Sequence, residues 1–252
     1  KKIYSIKNKN FKDFKMLKKK KKDKTKDIVV LVTIFVTFRK YINLNNLYQE
    51  KKMKFDHHKP VYEIRSSKEG IGKDVGIYCW WFKDDCVESL LKKVSKDIEW
   101  DRLAEEPLQH KKFGNVKYTA LYIGIAADKK EGILARFKWH VEQKHTVSNV
   151  SNGSLSTLRI TLSALNGFKL LKSSTEVNLK SQEKLNAFID ENCVLEWNYY
   201  PGKTKKELAA IEEGIINSGY YPLNIQGNRQ VSKELRKKLG NMRKEICSEP
   251  QL

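Results

Sequence analysis

The sequence predicts a mixed α/β (α+β) fold class, with a small central β-sheet flanked by helices. Three stretches rich in β-branched and aromatic residues have the length of buried strands: residues 75–82 (VGIYCWWF), 117–126 (KYTALYIGIA) and 193–200 (CVLEWNYY). Between and after them, apolar residues recur every three or four positions, as on one face of an amphipathic helix. Strands and helices in this arrangement indicate a sheet that packs against helices.

The predicted helices can be placed in order along the chain. One has clear ends, because Thr204 and Glu207 fit a capping box while Gly219 and Pro222 stop the helix. Before the second strand, the Gly-Asn pair at residues 114–115 predicts a turn. Helices are expected over residues 86–98, 133–141, 155–165, 181–190, 205–218 and 232–246.

Two basic residues share one face of the helix that follows Gly132. Arg136 and His140 are four residues apart, so their side chains lie one turn from each other. A solvated basic face is the alternative interpretation of this pair. Trp139, between them in sequence, is predicted to pack in the core, as are the three aromatic residues at positions 80–82.

A carboxylate occupies the margin of the apolar stripe on the predicted helix at 205–218. Glu212 lies beside the stripe formed by Leu208 and Ile215, whereas Glu213 points about 100° away, towards solvent. Because burial of an unpaired carboxylate is costly, Glu212 is expected to have a partner. That partner is either a functional cation or an ordinary ion pair, for example with Lys205 or Arg136.

The positive charge of the chain is concentrated near its start. The formal net charge is +20, but residues 1–60 carry 19 Lys or Arg against 5 Asp or Glu, which leaves only +6 for residues 61–252. Residues 1–60 are therefore expected to be a lysine-rich extension, either disordered or not part of the native chain. Residues 61–252 are expected to form the domain, with an insert at about 84–116 and a C-terminal basic helix.

An apolar run inside this extension leaves membrane association open. Residues 28–38 (IVVLVTIFVTF) are shorter than the ~20 residues that a spanning helix needs. The chain begins with Lys1, and Met53 is an alternative start. A membrane-surface protein is a possible alternative, but no membrane partner is expected.

Neither the cysteines nor the histidines form a zinc-site pattern. Cys79, Cys86, Cys193 and Cys247 include no Cys-x-x-Cys pair, which favours reduced thiols and a cytoplasmic location. The doublet at residues 57–58 (His-His) is interpreted as a loop feature.

Six polar residues follow in an order that resembles a known nuclease family. Tyr78 lies in Gly-Ile-Tyr at 76–78, and Tyr122 lies in Tyr-Ile-Gly at 122–124. Arg136, His140, Glu212 and Asn224 come after them, and the last two are twelve positions apart. This pattern is similar to the GIY-YIG nuclease superfamily, in the style of its restriction-type members and of a less characterised bacterial branch. The resemblance covers about residues 75–230.

The resemblance implies a GIY-YIG endonuclease-like fold with an antiparallel sheet, and a role for each residue. Tyr78 is implied to activate or orient the attacking water, and Tyr122 to bind the water or the phosphate beside it. Arg136 would neutralise the scissile phosphate and His140 would assist with substrate or protons. Glu212 would bind one Mg²⁺ or Mn²⁺, and Asn224 would support the site.

Two features leave questions open at this level. The two tyrosines lie 44 residues apart, whereas many members of the family join these strands by a short turn. The segment from Ser156 to Arg159 belongs either to the substrate side or to a helix start with a surface arginine.

The expected function is cleavage of phosphodiester bonds by a metal-dependent endonuclease, with double-stranded DNA as the nucleic-acid partner. A defence or restriction role is the leading hypothesis, ahead of mobile-element cutting or repair. The alternative function is a nucleic-acid-binding domain that keeps the fold without cutting.

Overall fold

A computed structural model describes residues 54–95 and 108–248 of this protein. The chain divides into two units, residues 1–52 and 53–252, and the described residues belong to the second. The lysine-rich run, the apolar run at 28–38 and Met53 lie outside the described residues.

The centre of the domain is a five-stranded sheet in which every neighbouring pair is antiparallel. Its order is β1-β7-β2-β4-β3. A separate two-stranded sheet pairs β5 with β6. The predicted fold class is confirmed. The strands are β1 (His57–Pro60), β2 (Gly76–Lys83), β3 (His110–Phe113), β4 (Val116–Ala126), β5 (Leu171–Ser173), β6 (Glu176–Val177) and β7 (Cys193–Tyr199).

Eight helices surround this sheet in the part of the chain that the structure describes. Five of them start with a side-chain cap on a backbone N–H where the sequence offers Ser, Thr or Asn, and the capping box of Thr204 is present. The helices are α1 (Val61–Ser67), α2 (Asp84–Ser95), α3 (Gly132–Val141), α4 (Val147–Ser151), α5 (Thr157–Asn166), α6 (Leu179–Asn192), α7 (Lys205–Ser218) and α8 (Lys233–Cys247).

The sheet separates two apolar cores, because alternate residues of a strand point to opposite faces. Tyr78, Trp80 and Phe82 of β2 pack in the first core with α2, α3, α5, α6 and α8. Ile77 and Trp81 pack in the second core, together with α7. Helix α3 carries Arg136 and His140, and helix α7 carries Glu212. The two helices therefore lie on opposite faces of the sheet.

The sheet is strongly curled, so that its two edge strands approach each other. The ring of Phe113 in β3 lies 5.1 Å from the ring of His58 in β1, although three strands separate them in the sheet. Lys111 of β3 likewise forms an ion pair with the buried Glu196 of β7. The right-handed twist of strands favours such coiling.

Two sequence predictions about aromatic residues are wrong. Trp139 is 36% exposed because it lies on the outer side of α3, and the core is filled by Phe137 from the same helix. The doublet at 57–58 is not in a loop but in β1, where His57 stacks on Trp197. Among the described residues, no helix has the length and apolar character needed to cross a membrane.

Candidate active site

The hydroxyl of Tyr78 meets the imidazole of His140 inside the first core. Tyr78 Oη lies 2.7 Å from His140 Nε2, and the two rings pack edge to face. Both side chains are buried, Tyr78 being 3% exposed and His140 2%. The solvated basic face considered for His140 is therefore wrong.

His140 is held from its other side by the start of helix α5. Its Nδ1 atom lies 2.7 Å from the hydroxyl of Ser156. Burial, together with the positive charges of Arg136 and Arg159, lowers the pKa of His140 to about 3. At neutral pH this imidazole is uncharged.

Tyr122 lies beside this pair, although 44 residues separate it from Tyr78. In the register of β2 with β4, Tyr122 faces Trp80, and its ring is 5.8 Å from that of His140. Burial raises the pKa of Tyr122, and the charge of Glu212 raises it while that of Arg136 lowers it. Burial also raises the pKa of Tyr78, with Tyr122 adding to the effect. The two motif tyrosines therefore converge.

Arg136 and Glu212 approach the tyrosines from helices on opposite faces of the sheet. The charge of Arg136 lowers the pKa of both tyrosines, and the charge of Glu212 raises it. Glu212 is half-buried, and this burial raises its pKa to about 7 against the opposing charge of Arg136. Glu213 is exposed, as its helical position predicts.

The carboxylate of Glu212 lacks the ion pair that the sequence offered as an alternative. Within residues 54–95 and 108–248, no salt bridge or hydrogen bond joins Glu212 to Lys205, Arg136 or another residue. A half-buried carboxylate in this state is poorly compensated. Among the described residues, no fixed partner therefore offsets the burial of this carboxylate.

Asn224 binds the backbone of the strand that carries Tyr122. Its Oδ1 accepts a hydrogen bond of 2.7 Å from the N–H of Ile123, and its Nδ2 donates one of 2.7 Å to the Ile123 carbonyl. The N–H of Leu223 also donates to the carbonyl of Leu121 at 3.0 Å. The loop that contains Asn224 thus covers the edge of β4 beyond its pairing with β3 and fixes the backbone next to Tyr122.

The segment from Ser156 to Arg159 does begin a helix, as one interpretation of the sequence predicted, but its arginine is buried rather than at the surface. A place on the substrate side stays a prediction. Arg159 is fully buried, and its guanidinium donates to the carbonyls of His140 and Val141, each at 3.1 Å. It also donates to Asn186 Oδ1 at 2.9 Å. The arginine thus holds the C-terminal end of α3, where His140 lies. No sequence pattern marks it, since an arginine on an amphipathic helix is ordinarily exposed.

A second arginine, from the C-terminal helix, also reaches the site. Arg243 of α8 is half-buried, its Nε donates to Thr161 Oγ1 at 2.8 Å, and its charge lowers the pKa of Tyr122. Its Nη2 atom is buried without a hydrogen-bond partner among the described residues. Sequence reasoning identified α8 only as a basic helix, because nothing distinguishes Arg243 from its other basic residues.

The donor set suits a hard divalent cation held partly by substrate. No group of three His, Cys, Asp or Glu side chains gathers around one point in the described part of the chain. Mg²⁺ is commonly bound by one or two carboxylates together with substrate phosphates and water. The uncompensated carboxylate of Glu212 fits that arrangement, and the Tyr78–His140 pair lies too deep to serve as its ligands.

Comparison with known proteins agrees with this geometry. No curated protein and no solved structure matches the chain. The family model described as the GIY-YIG catalytic domain matches residues 76–245, a span that runs from the first strand motif to helix α8. Such a domain indicates nuclease activity and a nucleic-acid substrate. This chain belongs to the GIY-YIG catalytic domain family.

Proposed function

We propose that this protein is a divalent-metal-dependent endonuclease that hydrolyses phosphodiester bonds in double-stranded DNA. The observation that carries the proposal is the convergence of Arg136 and Glu212 on the hydroxyls of Tyr78 and Tyr122. A cation, a carboxylate with an unmet charge and two buried hydroxyls are the groups that phosphodiester hydrolysis requires.

Each group has a distinct task in this proposal. Attack of water on phosphorus adds negative charge to the phosphoryl oxygens, and Arg136 would stabilise that charge. The hydroxyls of Tyr78 and Tyr122 would orient the water, and the ionised form of one of them, which the charge of Arg136 favours, would accept its proton. Glu212 would hold Mg²⁺ or Mn²⁺, which when bound supplies Lewis acidity and makes a bound water more acidic.

The choice of DNA rests on the basic face of α8. Lys233, Lys237 and Lys244 are exposed on this helix, and Arg243 of the same helix reaches Tyr122. Lysines of this kind bind phosphates without reading sequence, which positions a duplex for cutting. A defence or restriction role is the setting we favour, in the cytoplasm, where the free thiols of the four cysteines are stable.

The test is cleavage of supercoiled plasmid by the full chain with Mg²⁺, Mn²⁺ or EDTA. Wild-type protein should nick and linearise the plasmid only with metal, and Glu212→Ala should be inactive. Glu213→Ala is the matched control, because it removes an adjacent exposed carboxylate and should cut normally. Salt-sensitive binding without any cutting would instead identify a non-catalytic binding domain.

A further inference from the structure

We propose that Ser156 is a positioning residue that fixes His140 in the tautomer protonated on Nε2, so that His140 donates a hydrogen bond to Tyr78. The catalytic consequence rests on the proposed nuclease function, whereas the tautomer itself does not. Ser156, His140 and Tyr78 form a continuous chain of hydrogen bonds from the start of α5 to the predicted active site.

The direction in which these hydrogen bonds are donated follows from which groups around Ser156 can accept a proton. Ser156 is the N-cap of α5, and its Oγ accepts the backbone N–H of Arg159 at 3.2 Å. That N–H can only donate, so it cannot take the hydroxyl proton of Ser156. Among the described residues, the other hydrogen-bond partner of this oxygen is His140 Nδ1, at 2.7 Å.

Burial makes this assignment compulsory. Ser156 is fully buried, and a buried hydroxyl proton without an acceptor is costly. The proton of Ser156 therefore goes to His140 Nδ1, which must be the unprotonated nitrogen. A neutral imidazole then carries its proton on Nε2, 2.7 Å from Tyr78 Oη. The strongly lowered pKa of His140 agrees with a neutral ring.

The surrounding contacts hold the two helices in place. The side chain of Gln143 accepts the backbone N–H of Ser156 at 2.9 Å. Arg159 binds the carbonyls of His140 and Val141, so that the end of α3 and the start of α5 form one unit. Neither ring nitrogen can therefore exchange its partner without displacing a helix end.

This tautomer defines what His140 does to Tyr78. A hydrogen bond donated to a phenol oxygen stabilises its ionised form. His140 is then not the base that removes the proton of Tyr78. That proton points away from His140, on the side of Tyr122, whose hydroxyl interacts with that of Tyr78.

The first test is ¹⁵N NMR of the imidazole rings in the wild-type full chain without nucleic acid. The His140 signals are identified by their loss in His140→Gln. We expect a protonated Nε2 and an unprotonated Nδ1 at neutral pH. A proton on Nδ1 would overturn the proposal, whether or not the protein cuts DNA.

The second test measures plasmid cleavage and DNA binding for Ser156→Ala and Ser156→Thr. Ser156→Ala should lower the maximal cleavage rate about tenfold or more and leave DNA binding unchanged. Ser156→Thr keeps a hydroxyl that can cap the helix and donate to His140, so it should restore the rate. Ser232→Ala is the control, because it removes the N-cap of α8 without contacting His140. If Ser156→Ala and Ser232→Ala lose rate equally, or Ser156→Ala loses none, the positioning role is wrong.

Discussion

Gly124 lies directly against the side chain of Tyr78, its partner in the register of β2 with β4. A Cβ atom on Gly124 would come within 2.9 Å of Tyr78 Cε2 and closer still to the hydroxyl. The final glycine of the second motif is thus required by the tyrosine of the first. The close neighbour of this glycine is therefore a side chain. At Gly76 the approach is by backbone, the carbonyl of Asn198.

Gly124→Ala should therefore abolish cutting without unfolding the protein. The new methyl group must displace the Tyr78 hydroxyl, which breaks its bond to His140. We expect cleavage to fall by about two orders of magnitude, since general acid–base groups contribute at least that much. Plasmid cleavage and circular dichroism measure the two effects. Gly214→Ala is the control, because open space surrounds this position, and it should leave both cleavage and folding unchanged. Gly114→Ala is less suitable, because Gly114 has a positive φ that alanine rarely adopts.

Glu212→Gln should stabilise the metal-free protein while it inactivates it. The pKa of Glu212 is about 7 in the fold, against an ordinary value of 4.5. Between these values the folded chain holds a proton that the unfolded chain has released, so stability falls as pH rises through this window. The side chain of Glu212→Gln does not titrate, so this pH dependence of stability is lost in the variant.

Thermal unfolding in EDTA checks the sign of this effect. Above the folded pKa, Glu212→Gln should melt at a higher temperature than wild type, and below pH 4.5 the two should coincide. Glu213→Gln, at an exposed position, should follow wild type throughout. A lower melting point for Glu212→Gln above the folded pKa would mean that the carboxylate is satisfied within the fold.

Arg136→Ala should reduce the cleavage rate far more than DNA affinity. Its charge acts on Tyr78, Tyr122 and Glu212 together, which in the proposed mechanism is where charge develops during hydrolysis. Loss of one such group typically costs about 10²–10³ in rate. Rates under single-turnover conditions and binding titrations separate the two quantities. Lys138→Ala, on the same helix, removes an exposed ion pair with Glu131 and should change neither much.

Asn224→Ala should destabilise the fold and the site together. It leaves the N–H and the carbonyl of Ile123 without partners, which should lower the free energy of unfolding by about 2–4 kcal/mol. Urea denaturation measures this loss. Asn224→Asp keeps the acceptor for the Ile123 N–H but sets a carboxylate oxygen against the Ile123 carbonyl, so it should not rescue stability. An aspartate variant as stable as wild type would contradict these two hydrogen bonds.

Arg243→Met should produce a rate loss that shrinks as pH rises. The charge of Arg243 lowers the pKa of Tyr122, so its removal makes that hydroxyl harder to ionise. The pH–rate profile should move to higher pH, with Lys184→Met, at an exposed position of α6, as control. An equal loss at every pH would assign Arg243 to DNA binding instead.

The sequence predicted the strands and helices well because each has a strong local cause. β2, β4 and β7 are dense apolar runs, and α7 has its capping box. Strand β1 was missed because His57–Pro60 is short, polar and contains a proline, so only its pairing with β7 makes it a strand. Trp139 was misplaced because aromatic residues are usually buried, although this one lies off the apolar stripe of Ile133, Phe137 and Val141.

The site was predicted where residues carry a motif and missed where they act through another residue. Order and spacing predicted Tyr78, Tyr122, Arg136, His140 and Glu212 as site residues. The structure brings the tyrosines and His140 together under the influence of both charges, and their catalytic roles stay a prediction. Asn224 was predicted too, and its contacts are with backbone. The contacts of Ser156 and Arg159 with His140 were not predicted. Both residues bind the C-terminal end of α3, which only the folded chain brings close to them.

The connection between β2 and β4 shows how loosely sequence distance constrains this fold. Its two ends, Lys83 and Tyr118, face each other in the register, so the pairing does not depend on what lies between. Each doubling of a flexible loop costs only about 0.6 kcal/mol of closure entropy. Within this connection, α2 belongs to the first core, but residues can be added at the exposed turn of residues 114–115 while Tyr78 stays opposite Gly124. This connection is the natural place to graft new DNA contacts in an engineered nuclease, because it leaves the catalytic register unchanged.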